Sequence, residues 1–235
     1  MRTTVCLPTY NERENLERMV RTLGDHGVSV LVIDDNSPDG TGELADRLAQ
    51  ELPHVEVLHR DRKEGLGPAY LAGFRRALED GAELILEMDC DFSHDPADVP
   101  RLIAATEEAD LALGSRYVRG GSIGNWGLVR RAVSAGGSLY ARLLLGVGVR
   151  DLTGGFKCYR RVVLETIDLD AISSRGYAFQ IETTYRALRA GFRIVEVPVA
   201  FVDREYGGSK MSRAIVLEAI WKVPALRAKA LLGRL

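Results

Sequence analysis

The stretch Leu84-Ile85-Leu86-Glu87-Met88-Asp89-Cys90-Asp91-Phe92-Ser93-His94-Asp95-Pro96 decides how the rest of the chain is read. A short apolar run ends abruptly in two aspartates one residue apart. With helical spacing on both sides, the run Leu84 to Met88 reads as a buried strand of a parallel sheet. Ligands of open α/β sheets bind beyond the carboxyl ends of the strands, so Asp89 and Asp91 stand where a ligand would be. If the chain is still extended there, residues i and i+2 share a side with Cα atoms about 6–7 Å apart, and two carboxylates can reach one divalent cation. Hard oxygen donors suit Mg2+ or Mn2+, which take their remaining ligands from water and substrate phosphate. A D-x-D is also a common turn or cap, and Asp95-Pro96 has the form of a helix start. The pair therefore gains weight only from its surroundings.

Toward the N-terminus, strand and helix alternate. Thr3 to Leu7 reads as a strand, Arg13 to Leu23 as a helix (Leu16, Met19, Val20, Leu23), and Val28 to Ile33 as a second strand. A helix over Thr41 to Leu52, a strand over Val55 to Leu58 and a helix over Pro68 to Asp80 complete the first half. This repetition implies right-handed crossovers and a parallel sheet. Carboxylates recur at the strand ends: Glu12 after the first, Asp34-Asp35 after the second, Asp89 and Asp91 after the fourth. Asn11 serves as the cap of the first helix, which leaves Glu12 for another purpose. An ionised Asp35 only accepts hydrogen bonds, so it could take the N–H groups of a purine or pyrimidine base. No G-x-G-x-x-G follows the first strand and no G-x-x-x-x-G-K-[ST] occurs, so phosphate must be held by something else, and a metal on Asp89 and Asp91 would serve.

Toward the C-terminus, a helix over Pro96 to Ala105 and a strand over Ala109 to Gly114 lead into Ser115-Arg116-Tyr117. Trp126 to Leu145 has helical spacing and carries Arg130, Arg131 and Arg142. Asp151 to Arg161 reads as a turn into a strand, Gly176 to Ala190 as a helix, and Phe192 to Val202 as a strand that Pro198 marks as an edge or bulge. Arg116, Arg130, Arg131 and Arg204 stand in loops or at a helix start, where their forked donors could meet phosphate. Asp203 to Ser212 reads as a mobile glycine-rich loop. Ala214 to Leu232 is an amphipathic helix on which Ile215, Ala219, Ile220, Val223 and Leu226 share a face.

Composition excludes several classes. A formal net charge of −2 over 235 residues gives no basic field for nucleic acid. Three scattered cysteines match neither zinc spacing nor a disulfide framework and fit a reducing cytoplasm. The N-terminus reads as a strand rather than a signal peptide, and no run is long enough to span a bilayer. The four histidines do not cluster, and Cys90 between two acids is a poor nucleophile.

In order, Pro8-Thr9-Tyr10-Asn11-Glu12-Arg13-Glu14-Asn15-Leu16, Asp34-Asp35-Asn36-Ser37-Pro38-Asp39-Gly40-Thr41, Gly65-Leu66-Gly67, Met88 to His94, Gly114-Ser115-Arg116-Tyr117, Asp151 to Lys157 and Gly176 to Gln180 strongly resemble the dolichol-phosphate (polyprenol-phosphate) mannose synthases. These are family-two inverting glycosyltransferases. The resemblance covers nearly the whole chain. It implies a GT-A fold, a Rossmann-like, mostly parallel sheet flanked by helices, with a catalytic domain at 1–212 and an amphipathic helix at 213–235 for the membrane surface. It implies transfer of mannose from GDP-mannose to a dolichyl or polyprenyl phosphate, with Mg2+ or Mn2+ as cofactor.

Residue by residue, it implies Pro8, Tyr10, Glu12, Ile33 and Asp35 for the nucleoside and Asp89, Cys90 and Asp91 for metal and diphosphate. Ser93 stands where some relatives have Gln as a further metal ligand. Arg116, Arg131 and Ser134 would take the acceptor phosphate, while Arg204 and Lys210 would close over the donor. Asp91, Arg116 and Arg131 would be the catalytic set, and Asp91→Ala or Arg116→Ala is expected to slow turnover about a thousandfold without unfolding the protein. A cytoplasmic, peripheral membrane location and a small membrane-anchoring subunit are further implications; nucleic acid is not expected as a partner. The competing readings are a polyprenol-phosphate glucose synthase using UDP-glucose and a non-catalytic nucleotide-sugar-binding protein.

Overall fold

The computed structural model describes residues 1–124, 127–174, 176–203, 213–233 and 235. The first half alternates as expected: β1 (Thr3–Thr9), α1 (Arg13–Asp25), β2 (Ser29–Asp34), α2 (Thr41–Glu51), β3 (Val55–His59), α3 (Leu66–Glu79) and β4 (Leu84–Glu87). A 3-10 turn at Pro96–Asp98 then leads into α4 (Val99–Ala105) and β5 (Leu111–Ser115). Asp95 starts that turn by accepting the Ala97 N–H at 2.9 Å. The second half comprises β6 (Ser122–Ile123), α5 (Leu128–Leu145), β7 (Lys157–Arg160), α6 (Arg161–Thr166), α7 (Tyr177–Arg189), β8 (Ile194–Pro198), β9 (Ala200–Phe201) and α8 (Arg213–Leu231).

The main sheet has seven strands in the order β3-β2-β1-β4-β7-β5-β8. Its neighbours run parallel except at β7, which is antiparallel to both β4 and β5. The carboxyl ends of β1, β2, β4 and β5 therefore gather on one edge, and β7 enters the sheet from that edge. The expected strand over Phe192 to Val202 is split after Pro198 into edge strand β8 and the short β9, which pairs with β6. Helix α6 and strand β6 are additions to the expected elements.

Alternating side chains build two apolar layers. Val5, Leu7, Leu84 and Leu86 pack against α1, α2 and α4, while Cys6, Leu31, Ile33 and Ile85 pack against α3, α6 and α7. Helix α1 buries Leu16, Met19, Val20 and Leu23, one stripe at helical spacing. Gly73 lets α3 lie close on β2, because a Cβ there would come within 2.5 Å of Ile33 Cδ1. A third layer joins α5, α7 and α8 through Leu145, Tyr185, Val223 and Leu226. Helix α8 thus places Val223 and Leu226 in the core, whereas Ile220, expected on the same face, is 44 % exposed.

One polar contact crosses the middle of the sheet. Glu87 and Lys157 are register partners on β4 and β7, both fully buried, with Nζ 3.0 Å from Oε1. Lys157 also donates to the carbonyl of Gln180 at 3.1 Å and to its side-chain Oε1 at 2.5 Å, while the Tyr159 hydroxyl donates to Glu87 at 3.3 Å. Burial pushes the Glu87 carboxyl up and the Lys157 ammonium down, and each charge partly offsets the other's shift. Removing one partner strands a charge in the core. Lys157→Met should therefore lower unfolding stability by about 3–5 kcal/mol in a urea titration, and Glu87→Leu in the same chain should restore most of the loss. Equal losses in the single and double variants would show that the pair is not the source.

Candidate active site

At the ends of β1 and β2 the two neighbouring aspartates have separate tasks. Asp34 is structural: it accepts from Thr9 Oγ1 at 3.1 Å, Ser37 Oγ at 2.6 Å and the Ser37 N–H at 3.0 Å. Asp35 faces the loop after β3, where Arg60 Nη1 donates to its Oδ1 at 2.5 Å. Burial raises the Asp35 pKa, and the Arg60 charge opposes the rise. The Tyr10 ring lies under Lys63, whose Nζ is 3.8 Å from the ring centre. Pro8, half-buried, pairs in register with Ile33.

Two expected details change here. Asn11 takes a left-handed conformation (φ 57°), and Glu12 occupies the N-cap position of α1 without a side-chain capping bond. The Glu12 carboxylate instead accepts from Asn15 Nδ2 at 2.9 Å, and its N–H donates to Thr41 Oγ1. The Ile33 side chain is fully buried beneath α3, because strand alternation turns it away from the edge.

The acidic pair follows β4, which ends at Glu87 rather than Met88. The chain does not stay extended through Asp91. It turns at Cys90 and Asp91, Phe92 is left-handed (φ 57°), and Asp91 Oδ1 accepts the Ser93 N–H at 3.0 Å. Asp89 is half-buried and accepts from the Tyr70 hydroxyl at 3.3 Å. Cys90 points into the core, and Ser93 is buried. Among the described residues no cluster of three or more His, Cys, Asp or Glu is suited to a metal. Two hard carboxylates are nevertheless the usual protein share for Mg2+ or Mn2+ when phosphate and water complete the shell, so Asp89 and Asp91 fit such an ion.

Across from this turn, Arg116 leaves β5 and binds Asp151 in a fork, Nε to Oδ2 at 2.7 Å and Nη2 to Oδ1 at 2.6 Å. Nη2 also donates to Thr153 Oγ1 at 2.8 Å. Asp151 is fully buried, and Glu196 holds its loop by accepting the Arg150 and Asp151 N–H groups. Burial alone would lower the Arg116 pKa; the bonds and charge of Asp151 outweigh it and hold the guanidinium above its usual value. Arg116→Ala would thus leave a buried, unpaired carboxylate, and the expectation that it spares the fold is withdrawn. On α5, Ser134 accepts from the Tyr117 hydroxyl at 2.8 Å and Arg131 is exposed, close enough for its charge to act on Tyr117. Arg204 and Lys210 lie outside the described residues, as does the side chain of Arg130.

His94 joins the two sides. Its backbone bridges to Phe201, and its buried ring packs between Phe156 and Phe201, each centre 4.9 Å away. Arg116 lies over the other side of the site at 5.4 Å from the Phe201 centre.

Sequence reasoning missed Tyr70, Arg60, Lys63 and the Asp151 partner of Arg116. Asp151 carried a signal, an acid heading a Thr-Gly-Gly turn, but its partner is 35 residues away. Tyr70 sits inside an ordinary helical pattern.

A doubly layered, mostly parallel sheet thus carries Asp35 with Arg60, the Asp89 and Asp91 turn, and Arg116 at its carboxyl edge, and the comparisons with known proteins make this the GT-A fold of glycosyltransferases. The family model for "Glycosyl transferase family 2" matches residues 4–168, and the chain belongs to that family. It is 52% identical over 225 residues to an undecaprenyl-phosphate mannosyltransferase of Micrococcus luteus, covering 95% of this chain and 93% of the relative. It is also 52% identical to a polyprenol monophosphomannose synthase of Mycolicibacterium smegmatis, covering 94% and 85%. Among solved structures, glucosyl-3-phosphoglycerate synthase from Mycobacterium tuberculosis, in complex with Mn2+, UDP-glucose and phosphoglyceric acid, aligns with a TM-score of 0.70 at 18% identity over 97% of this chain and 80% of that one. A mannosyltransferase from Pyrobaculum calidifontis with GDP-mannose and Mn2+ aligns at 0.59 and 16% identity, covering 99% and 74%.

The His94 ring sets a pH limit on stability. Burial, then the Arg116 charge, lowers its pKa from 6.5 to about 4. Between these values the unfolded chain binds the extra proton, so stability is full above pH 6.5 and falls as pH drops toward 4, by up to about 3 kcal/mol. Urea unfolding at pH 7 and pH 4.5 should show a smaller pH loss in His94→Leu than in the parent chain; the same loss in both would assign it to other groups.

Proposed function

We propose that this enzyme transfers mannose from GDP-mannose to a polyprenyl phosphate, with inversion at the anomeric carbon and with Mg2+ or Mn2+ bound at Asp89 and Asp91. The observation that carries this reading is 52% identity, over nearly the full length of both chains, to relatives named for mannosyl transfer onto polyprenyl phosphates. The site chemistry agrees with it. A phosphomonoester is already anionic near neutral pH, with a second pKa of about 6, so its oxygen needs no general base. The buried Asp151 is engaged with Arg116 and is not required for one.

The difficulty is to bring one anion to another. Arg116, held in place by Asp151, and Arg131 with Ser134 on α5 offer cationic and hydroxyl donors for the acceptor phosphate. At the other end, Tyr10, Glu12 and Asp35 hold the nucleoside, with Pro8 and the backbone at Ile33 beside it, and the backbone at Cys90 lies with Asp89 and Asp91 at the diphosphate. A bound divalent ion would supply the positive charge that the departing diphosphate needs. The acceptor oxygen attacks the anomeric carbon in line as the bond to the diphosphate breaks. The electron pair leaves with GDP, and the configuration inverts.

The acceptor is a lipid, and no described helix is long and apolar enough to cross a membrane. Helices α5 and α8 instead present Leu139, Leu143, Ile220, Trp221 and Leu231 to solvent, with Trp221 76 % exposed. We assign this surface to contact with the cytoplasmic face of the bilayer, as a peripheral protein.

Incubation with Mg2+ or Mn2+, labelled GDP-mannose and polyprenyl phosphate should move label into the organic phase. Asp91→Asn should slow this about a thousandfold. No transfer from GDP-mannose, with transfer from UDP-glucose, would overturn the donor assignment. Because α8 helps form the core, the membrane test uses point variants rather than truncation. Leu143→Glu with Trp221→Glu should reduce flotation on anionic liposomes while leaving turnover of a detergent-dispersed acceptor within about twofold, as the substitutions weaken surface burial alone. Unchanged flotation would remove this surface from the membrane assignment.

A further inference from the structure

At the nucleoside end of the site, Asp35 is one half of a pair. Arg60 Nη1 lies 2.5 Å from its Oδ1, and the two side chains are 12 % and 7 % exposed. Arg60 is placed by more than this contact. Its N–H donates to the Asp34 carbonyl at 2.9 Å, which extends the β2–β3 ladder, and Nη2 donates to Glu64 at 2.8 Å. The loop it begins is closed by Asn36 Nδ2 on the Asp61 carbonyl at 3.0 Å, and Lys63 reaches back over Tyr10. An acceptor-only carboxylate and a donor-only guanidinium thus stand side by side at the ligand edge of the sheet.

We infer that Arg60 is the base-specificity residue of this site and, with Asp35, selects guanine. The inference rests on the proposal that Asp35 meets the nucleoside. Guanine carries its N1–H and N2–H donors beside its O6 and N7 acceptors. The Asp35 carboxylate matches the first pair, and the Arg60 fork matches the second, as arginine does wherever it reads a guanine edge. Arg60 has five N–H donors, and its bonds to Asp35 and Glu64 leave others for the base. Uracil offers the carboxylate a single N–H between two carbonyl oxygens, which repel it. Adenine and cytosine turn a ring nitrogen acceptor toward it. A site whose buried polar groups are left unpaired by the wrong ligand discriminates strongly.

Calorimetric titration of the full-length protein with GDP, IDP and UDP, each with Mg2+, tests this. Arg60→Lys keeps the charge beside Asp35 but removes the fork. It should weaken GDP about 10–100-fold, the range of one bidentate base contact, and change UDP less than about threefold. UDP binding also reports that the variant is folded. Inosine lacks only the 2-amino donor, so the GDP/IDP ratio should survive Arg60→Lys and collapse in Asp35→Asn. An unchanged GDP/UDP ratio in Arg60→Lys, or equal loss of both nucleotides, would overturn the role of Arg60 and leave the donor proposal standing. A parent chain that does not prefer GDP to UDP would overturn both.

Discussion

The fully buried contact between Glu87 and Lys157 is the constraint on which the site depends. It lies where β7 enters the sheet against the run of its neighbours, two residues before Asp89. Two charges without water are tolerable only when further hydrogen bonds complete them. Here Gln180 and Thr183 accept from Lys157, and the Tyr159 hydroxyl donates to Glu87 Oε1, while Glu87 Oε2 is buried with no hydrogen-bond partner among the described residues. Gln180 and Thr183 belong to α7, and so does Phe179, which stacks on Tyr70, the residue that donates to Asp89. The network therefore ties β4, β7 and α7 together directly beneath the acidic turn. The position of Asp89 follows from packing several residues away from it.

Around this centre, carboxylates at one edge of the sheet divide their tasks by their partners. Asp34 closes a turn, and Asp35 pairs with Arg60. Asp91 shapes its own loop, Asp151 holds Arg116, and Glu196 holds the loop that carries Asp151. The same residue type thus serves as scaffold and as ligand-facing group a few ångströms apart. Burial and hydrogen bonding make the distinction, since a carboxylate whose lone pairs are all taken by the chain has little left for a substrate.

Sequence reading reached the first half of the fold because there strand and helix alternate, which implies parallel pairing even between β1 and β4, far apart in sequence. The apolar run at Leu84, the acids after it and the helix start at Asp95 follow from short-range chemistry. The antiparallel insertion of β7 does not, since no helix crossover announces it: Lys157-Cys158-Tyr159-Arg160 enters between β4 and β5, about 70 and 45 residues earlier, against their direction. The ion pair of Arg116 with Asp151 was hidden because it joins two loops, where no periodic pattern marks a partner. Ile33 and Cys90 show a further limit. Their place in a motif says that the backbone lies at the site, but strand alternation and the turn after Asp89 send both side chains into the core. The helix starts at Arg13 as read, but Glu12 rather than Asn11 stands at its N-cap, because Asn11 takes the left-handed conformation that Asn tolerates.

The late arrival of β7 bears on how the chain is made. Strands β1 to β4, with the helices between them, are complete in the chain once Glu87 has been made, long before any part of β7. The outer edge of β4, with Glu87 on it, must then wait for Lys157. At about 5–20 residues per second that interval is roughly 4–14 s. Throughout it, an open strand edge and a carboxylate without its cation persist on a nascent half-domain. The charge keeps that edge hydrated and resists pairing with a neighbouring chain, as inward-pointing charges do on sheet edges generally. The lysine that later completes the core releases this protection at the moment it is no longer needed.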